Sequence, residues 1–382
     1  MKLVNILDVV KIANRSVDKF SGVKRYIATG DLSENIISSY TELTYDNRPS
    51  RANVAVKTGQ VIFARMQGTK KVLLIDNDNV DFIYSTGFCV FEPSKAIMSD
   101  YLRLILNSDL FQKQKDKYSK GATQKAINNA GLKKIQIPLP PLETQKKIVE
   151  VLDKAQELID ARKEQIRLMD ELIQSIFYEM FGDPVTNPKG WQVCKMSSLG
   201  LFKNGMNFSS SDSGVTLNCL GVGDFKSLYK IAQTELLPTI SLKQIPSEDY
   251  MLRNKDIVFV RSNGNKALIG RSVIIYPNNN EVTFSGFCIR LRVESDLVHE
   301  EFLIQLLRSD SLKNKLLRNG RGANIFNLNQ KMLSDVDIVL PPKELQMKFI
   351  KIIEKIENQK SYMELSLAEH EMSFQSIMKA SF

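Results

Sequence analysis

Two polar loops occupy equivalent places in the two halves of the chain, and both carry side chains that can contact nucleic-acid bases. Arginine pairs with guanine edges in the major groove, asparagine and glutamine pair with adenine edges, and lysine neutralises phosphates. A single loop of this kind could equally be a solvated hairpin turn, but its recurrence favours a binding role. The candidate contacts are Arg65, Gln67 and Lys70 in the first loop and Arg261, Asn263, Asn265 and Lys266 in the second.

A second pair of loops follows a helix-like segment in each half and adds further candidates. Gly121 and Gly322 would let the backbone approach a phosphate closely, and neighbouring basic residues would add charge. The alternative is a turn at the end of a helix, a role that Gly121 could also serve. The candidate contacts here are Thr123, Gln124 and Lys125 in the first half and Asn324 and Asn327 in the second.

The sequence lacks the patterns of common catalytic sites. The segment from Gly264 to Gly270 has five residues between its glycines, whereas a phosphate-binding P-loop needs four, followed by Lys. The chain has no Gly-x-Ser-x-Gly motif, no Asn/Asp-Pro-Pro-aromatic run of amino-methylating enzymes and no convincing nuclease carboxylate cassette. Its two histidines and four scattered cysteines include no Cys-x-x-Cys pair, which argues against a zinc site. We therefore expect a non-catalytic binding protein without a cofactor or metal.

Length, composition and charge indicate a mildly basic protein with more than one domain. The 382 residues are enough for two or three domains, and 43% of them are hydrophobic. The 52 basic and 43 acidic residues give a net charge of +9, which favours a polyanionic partner although many proteins are mildly basic. The few cysteines favour a reducing cytoplasm. Asn5 and Asp8 interrupt the N-terminal apolar run, unlike a signal peptide, and no apolar run predicts a membrane span.

The chain is an internal duplication with an offset of about 200 residues. The run 59–65 matches 255–261, and Gly-Phe-Cys at 87–89 matches Gly-Phe-Cys at 286–288. Further along, Leu-Pro-Pro at 139–141 recurs at 340–342. A chance match could give one such pair, but several matches in the same order at a nearly constant offset are a strong signal and predict two copies of one domain.

Each copy ends in a long heptad pattern that predicts a helix of near 40 residues, about 60 Å long. The seam runs from Ile148 to Met180 in the first copy and from Phe349 to Ser381 in the second, in alternating steps of four and three. The Pro-Pro pairs fix where each helix begins, and Gly182 with Pro184 ends the first. The two helices could pair antiparallel with each other, or each could pair with another protein. The seam is interrupted by Arg162, Lys360 and His370, which are candidates for fixing the register.

The expected fold class is α+β, with two mixed α/β domains in tandem repeat, separated by two long antiparallel coiled-coil helices. Short β-rich runs such as 61–64 and 257–260 favour a curved or barrel-like sheet. The segments 100–117 and 300–317 have the spacing of one amphipathic helix each. The predicted boundaries are 1–140 for the first domain, 141–182 for the central helix, 183–340 for the second domain and 341–382 for the C-terminal helix.

This organisation resembles the specificity subunit of a type I restriction–modification enzyme. The residues that carry the resemblance are Leu139-Pro140-Pro141 with Glu143 and Gln145, their copies Leu340-Pro341-Pro342 with Glu344 and Gln346, and Phe181-Gly182-Asp183-Pro184. The resemblance covers essentially the whole chain and implies two target-recognition domains, each reading one half of a bipartite, asymmetric DNA site. No motif of that family assigns base contacts to the loop residues named above.

The resemblance also implies partners. The helices would set the gap between half-sites and dock two methyltransferase subunits, which use S-adenosylmethionine, and two motor-nuclease subunits using ATP and magnesium would complete the complex. The chain itself would hold none of these cofactors. Two other interpretations stay open at this point: a coiled-coil scaffold whose globular domains bind proteins, and an enzyme with unrecognised catalytic residues.

Overall fold

The computed structural model describes residues 2–33, 35–122, 124–209, 212–225, 229–318 and 327–382. It divides into two compact units. Unit 1 comprises Met1–Lys163 with Leu365–Phe382, and unit 2 comprises Glu164–Glu364. Each unit therefore contains one globular domain and parts of both long helices.

The domain of unit 1 is built on two four-stranded sheets and two separate strand pairs, one of them β4-β5. One sheet has the order β2-β11-β8-β9, the other the order β6-β3-β10-β7, and β1 pairs with β12. Strand β10 is parallel to β3, and the long-range pairs within the first sheet are antiparallel. The elements are β1 (Leu3–Asn5), α1 (Ile6–Val9), β2 (Val10–Ile12), β3 (Lys24–Ile27), β4 (Leu32–Ser33), β5 (Ile36–Ile37), β6 (Thr41–Leu43), β7 (Ala52–Val54), β8 (Val61–Ala64), β9 (Val72–Leu74), β10 (Ile83–Ser85), β11 (Phe88–Pro93), α2 (Ser99–Asn107), α3 (Asp109–Tyr118), α4 (Asn129–Leu132), β12 (Gln136–Pro138) and α5 (Leu142–Phe181).

The domain of unit 2 repeats much of this topology. Its main sheet has the order β14-β21-β18-β19-β16, with β16 parallel to β19, and a second sheet has the order β17-β15-β20, with β20 parallel to β15. The strand pair β13-β22 corresponds to β1-β12. The expected duplication is thus confirmed in its framework. Within the described residues, β16 adds a fifth strand to the main sheet of unit 2, and its second sheet has three strands where unit 1 has four. The elements are β13 (Gln192–Lys195), β14 (Gly200–Asn204), β15 (Val215–Leu220), β16 (Lys230–Ile231), β17 (Thr239–Leu242), β18 (Asp256–Val260), β19 (Ser272–Ile275), β20 (Val282–Phe284), β21 (Cys288–Val293), α6 (Glu300–Arg308), α7 (Asp310–Arg318), α8 (Gln330–Ser334), β22 (Asp337–Leu340) and α9 (Lys343–Ser381).

The apolar runs found in the sequence are central strands covered on both faces. In β8, Val61 and Phe63 belong to the core under helices α2 and α3, whereas Ile62 and Ala64 belong to a second core on the other face. Strand β18 alternates in the same way between two cores of unit 2. A strand buried on both faces needs no polar positions, which explains why these runs do not alternate.

Two details of the predicted domains are wrong. Each segment predicted as one helix is two helices, because Ser108 adopts an extended conformation (ψ 152°) and accepts a hydrogen bond from the Phe111 amide to start α3. Its own hydroxyl donates to the Ile105 carbonyl at 2.6 Å, and Ser309 repeats this with the Leu306 carbonyl at 2.7 Å. The sequence also predicted one curved or barrel-like sheet as the core, whereas the described strands of each domain form two larger sheets and one or two strand pairs.

Both long helices are present, with 40 residues in α5 and 39 in α9. The end of α5 is closed by Gly182, whose φ of +74° suits glycine and whose amide donates to the Tyr178 carbonyl at 2.9 Å. The Trp191 indole N–H then donates to the Phe181 carbonyl at 2.8 Å, which joins the helix end to the start of the second domain. None of the helices in the described residues is long and apolar enough to cross a membrane.

Candidate nucleic-acid interface

The two predicted loops of the first domain lie against each other. The Gln67 amide donates to the Lys125 carbonyl at 2.9 Å, and the Ile127 amide donates to the Arg65 carbonyl, also at 2.9 Å. These bonds form a short antiparallel bridge between Met66 and Ala126. Segments about 60 residues apart in the sequence thus become one surface, which we call the unit 1 loop pair (residues 65–70, 120–122 and 124–127).

The second domain joins its two loops by the same bridge. Ser262 pairs with Asn327, and the Leu328 amide donates to the Arg261 carbonyl at 2.8 Å. The positions match those of the unit 1 loop pair in the repeat. The two candidate loops of the first copy therefore form one candidate interface, and in the second copy Asn327, the described end of the second loop, joins the first loop in the same way.

Several predicted contact residues are free to face a ligand from this surface. In unit 1 the side chains of Gln67, Lys70, Gln124 and Lys125 are exposed, and in unit 2 that of Asn327 is exposed. Thr123, Asn324 and the side chain of Lys266 lie outside the described residues. Contact of any of these residues with DNA stays a prediction.

The two candidate arginines are partly occupied with the protein itself. Arg65 is half-buried, and its Nη1 donates to the Ile127 carbonyl at 3.1 Å and to Oδ1 of Asn129 at 3.2 Å. Arg261 is half-buried, and its Nη1 lies 3.4 Å from the Gly286 carbonyl, to which it donates. Each guanidinium carries five donors, so a bond to a loop carbonyl leaves others for a base or phosphate. Both arginines therefore make a structural contact and keep further donors for a ligand.

The two candidate asparagines of unit 2 help to shape their loop. The Oδ1 of Asn263 accepts from the Asn265 amide at 2.7 Å, and the Oδ1 of Asn265 accepts from the Ala267 amide at 3.1 Å. Such bonds to a backbone amide two residues on are typical of asparagine in turns. The side-chain NH₂ group of each residue is the part that remains suited to reading an acceptor on a base.

Sequence reasoning missed two residues of α3 that hold the unit 1 loop. Lys115 is fully buried, and its Nζ donates to the Met66 carbonyl at 3.0 Å and to the Thr69 carbonyl. Asp116 accepts from the Gly68 amide at 3.0 Å. Burial lowers the pKa of Lys115 below its ordinary value, and the neighbouring Asp116 opposes that shift. The sequence did hold a signal for the burial of Lys115, because this residue lies one helical turn after Phe111, on the apolar face of the helix.

The glutamines of the Glu-x-Gln pattern fasten each long helix to its own domain. Gln145 is fully buried; its Oε1 accepts from the Met98 amide, and its Nε2 donates to the carbonyls of Ala96 and Pro140, all at 2.9 Å. Gln346 makes the same three contacts in unit 2, with the His299 amide at 2.9 Å, the Leu297 carbonyl at 3.1 Å and the Pro341 carbonyl at 2.9 Å. In each glutamine the Oε1 atom accepts one hydrogen bond and the Nε2 atom donates two, so the side chain is anchored at three points.

Within unit 1, the start of α5 packs with the end of α9. Leu104 of α2, Leu152 and Met378 form one buried cluster, and the ring of Phe382 lies 5.6 Å from that of Tyr101. Further along, Lys163 Nζ lies 2.9 Å from Glu371 Oε1.

Within unit 2, the end of α5 packs with the start of α9 in the corresponding way. The rings of Phe177, Phe181, Phe302 and Phe349 form a cluster with centroid distances from 4.8 to 6.3 Å. Lys360, an interruption of the predicted seam, donates to Oδ1 of Asp170 at 2.5 Å. Every seam position of both helices, Arg162 and His370 included, is buried or half-buried.

The cysteines and carboxylates of the described residues offer little chemistry. No group of three or more histidine, cysteine, aspartate or glutamate side chains in this part of the chain could hold a metal ion. The four cysteines are free thiols, and burial raises the pKa of both Cys89 and Cys219 to about 12, so these thiols stay protonated. The arrangement is suited to recognition by loops on a rigid frame.

Known proteins match this chain along most of its length. The family model for the type I restriction modification DNA specificity domain matches residues 1–168 and, again, residues 188–368. The StySPI specificity subunit of Salmonella potsdam, a type I restriction enzyme subunit, is 26% identical over 318 residues, which are 78% of this chain and 67% of that protein. The EcoKI specificity subunit of Escherichia coli K12 is 23% identical, with the same coverage.

Two solved structures have the same fold. One comes from work on complex assembly and conformational transition of the type I R-M system, with a TM-score of 0.62, 22% identity and coverage of 100% of this chain and 97% of that chain. The type I restriction–modification S subunit from M. genitalium has a TM-score of 0.55, 13% identity and coverage of 100% and 96%. With two successive family matches on one duplicated frame, this chain belongs to the type I restriction–modification DNA specificity family and carries two of its domains.

Proposed function

We propose that this chain is the DNA specificity subunit of a type I restriction–modification complex and that each domain reads one half of a bipartite, asymmetric target. The observation that carries the proposal is the recurrence of one bridged loop pair on the same sheet frame with different residues at its tip. The tips are Gln67-Gly68-Thr69 in the first domain and Asn263-Gly264-Asn265 in the second. A shared frame with different tips suits the reading of two different base sequences.

The two long helices act, in this proposal, as an antiparallel coiled-coil ruler that sets the gap between half-sites. Burial of the heptad seam supports this role, as do the paired contacts of α5 and α9 in each unit. The anchors at Gln145 and Gln346 also support this role, since helices that set the distance between two domains must be attached rigidly to each domain. DNA half-sites must be met at a fixed helical phase, with about 34–36 Å per turn, which a rigid helix pair can match.

The same helices dock two methyltransferase subunits, and two motor-nuclease subunits complete the restriction complex. Large apolar side chains on their outer faces support a docking role, because exposed apolar surface commonly marks an interface. Those most exposed are Val151, Leu158, Tyr362, Leu365 and Met372. S-adenosylmethionine, ATP and magnesium belong to those partners in this proposal, and this chain recognises DNA without catalysis or a cofactor. Free thiols are consistent with work in the reducing cytoplasm.

Sequencing of methylated bases in the source strain, with and without this gene, tests the function. We expect one bipartite methylated adenine motif to disappear when the gene is deleted. An unchanged methylome would reject the proposal and favour a coiled-coil scaffold whose domains bind proteins. The purified chain alone, incubated with DNA and each cofactor, should neither methylate nor cleave; either activity would identify it as an enzyme.

A further inference from the structure

Lys115 is a charged side chain in a place where the fold could hold an apolar one. It is fully buried, on the face of α3 that packs against the sheet core. Lysine is almost never fully buried unless it is paired, because its ammonium loses its hydration. Its partners are the carbonyls of Met66 and Thr69, while the nearest carboxylate oxygen, on Asp116, is 3.8 Å away.

The second domain provides an internal comparison. The Ser-Asp pair that opens α3 recurs at the start of α7, and this alignment places Leu316 opposite Lys115 and Leu317 opposite Asp116. Leu316 is buried in the apolar core of unit 2. The shared frame is therefore built equally well with leucine at this position. Packing of the frame therefore does not explain why a lysine is buried in unit 1. The explanation lies in the loop whose carbonyls Lys115 contacts.

Lys115 and Asp116 together hold the tip of the unit 1 loop from one side. Asp116 accepts from the amide of Gly68, whose φ of +70° turns the chain at the tip. From the other side, the Gln67 amide is held by the Lys125 carbonyl. A backbone group of each residue from 66 to 69 is thus bonded, while the side chain of Gln67 remains exposed.

We propose that Lys115 and Asp116 are positioning residues for base reading, and that they hold the 65–70 loop in the conformation in which its exposed side chains meet one half of the DNA site. The proposal rests on the function proposed above. A base pair is discriminated only when the reading side chain is held in the correct geometry. A loop without this support samples more conformations, so its contacts to correct and incorrect bases become more alike.

Affinity for DNA in general should survive the loss of this support. The exposed Lys70 and Lys125 stay in place, and phosphate contacts tolerate small movements of a flexible lysine. The consequence is a loss of discrimination at one half-site with little change in non-specific binding. A residue that merely stabilised the fold would lower both together.

The test measures competition binding with the chain co-expressed with its methyltransferase subunit. The duplexes carry the full methylated motif found in the strain, the motif altered in one half, or the motif altered in the other half. For Lys115→Met and Asp116→Ala, we expect discrimination in one half to fall by roughly 10-fold and the other half to be read normally. Asp116→Asn retains the Oδ1 acceptor and should rescue reading. Leu316→Met, at the matched position of unit 2, should leave both halves unchanged.

Other results would contradict either the positioning role of Lys115 and Asp116 or the proposed function. If Lys115→Met and Asp116→Ala read both halves like the parent chain, or lose both halves equally, the two residues do not position this loop. If Lys115→Met fails to fold, Asp116→Ala alone decides, because Asp116 is 34% exposed and the buried Lys115 keeps both of its carbonyl acceptors. If the unmodified complex discriminates in neither half, the proposed function itself fails.

Discussion

Replacement of Gln145 by alanine should loosen the joint between the first domain and its long helix. The change removes three buried hydrogen bonds, with the Met98 amide and the carbonyls of Ala96 and Pro140. At about 1 kcal/mol of net stabilisation for each bond, the free energy of unfolding of unit 1 should fall by about 3 kcal/mol. For a unit of this size, that loss lowers the melting temperature by roughly 6–12 °C.

Thermal unfolding and amide hydrogen exchange measure this effect together. Exchange should accelerate at the Met98 amide, whose acceptor is lost, while the His299 amide keeps its acceptor on Gln346. Gln165→Ala is the matched control, because this glutamine lies on the same helix and is exposed. If Gln145→Ala destabilises the protein no more than Gln165→Ala does, or if exchange at Met98 is unchanged, the hydrogen bonds of Gln145 do not stabilise the attachment of the helix to the first domain.

Three further perturbations follow from the described contacts. Arg261→Ala should weaken or relax recognition of one half-site only, read as altered bases in one half of the methylated motif; equal change in both halves, or none, would contradict modular reading. Lys360→Leu restores an apolar seam position and removes both the partly exposed pair with Asp170 and a positive charge that acts on Glu357. The melting temperature should stay the same or rise by a few degrees, and a fall would mean that the Lys360 charge stabilises the helices. Burial raises the pKa of Glu357 above its usual 4.5, so the stability that the protonated side chain contributes is lost as the pH rises from 4.5 through the raised pKa. In that pH range the melting temperature of Glu357→Gln should change less with pH than that of the parent chain. Parallel curves for the two proteins would show that Glu357 does not cause the pH dependence.

The duplicated frame was predictable from the sequence because its signals are local and occur twice. In the sequence, the buried strands β8 and β18 are continuous apolar runs, and the long helices are heptad patterns bounded by proline and glycine. The break within each predicted helix segment was missed, although Ser108 and Ser309 are typical helix caps. An apolar face that continues through the cap conceals the break, because both short helices pack on the same core.

The candidate site was predicted in its parts but not in its assembly. The loops at 65 and 120 were identified by their chemistry, whereas their bridge through Met66 and Ala126 depends on a contact between distant segments. Lys115 was overlooked because a lysine on a helix normally reads as solvated. Gln145 was recognised only as part of a motif, since a glutamine on a helix surface and one bonded at three points look alike in a sequence.

The two copies differ in length only in the part of each domain that precedes Ser108 or its counterpart Ser309. The offset between equivalent residues rises from 193 at Gly30 to 201 at Ser108 and is constant from there to the end of the long helices. The constant part contains the helix anchors Gln145 and Gln346 and the helix ends Phe181 and Phe382, which pack on Phe302 and Tyr101 of their respective units. Insertions there would shift every buried contact that fastens a helix to a domain, whereas insertions before Ser108 fall in connections between strands. Length differences between the two readers therefore lie before Ser108 and its counterpart Ser309, whereas both loops of the candidate interface and the residues that hold them lie within residues 1–127 of the first copy. A chimaera that carries residues 1–127 of a relative on this frame should acquire that relative's first half-site and keep the original gap and second half-site.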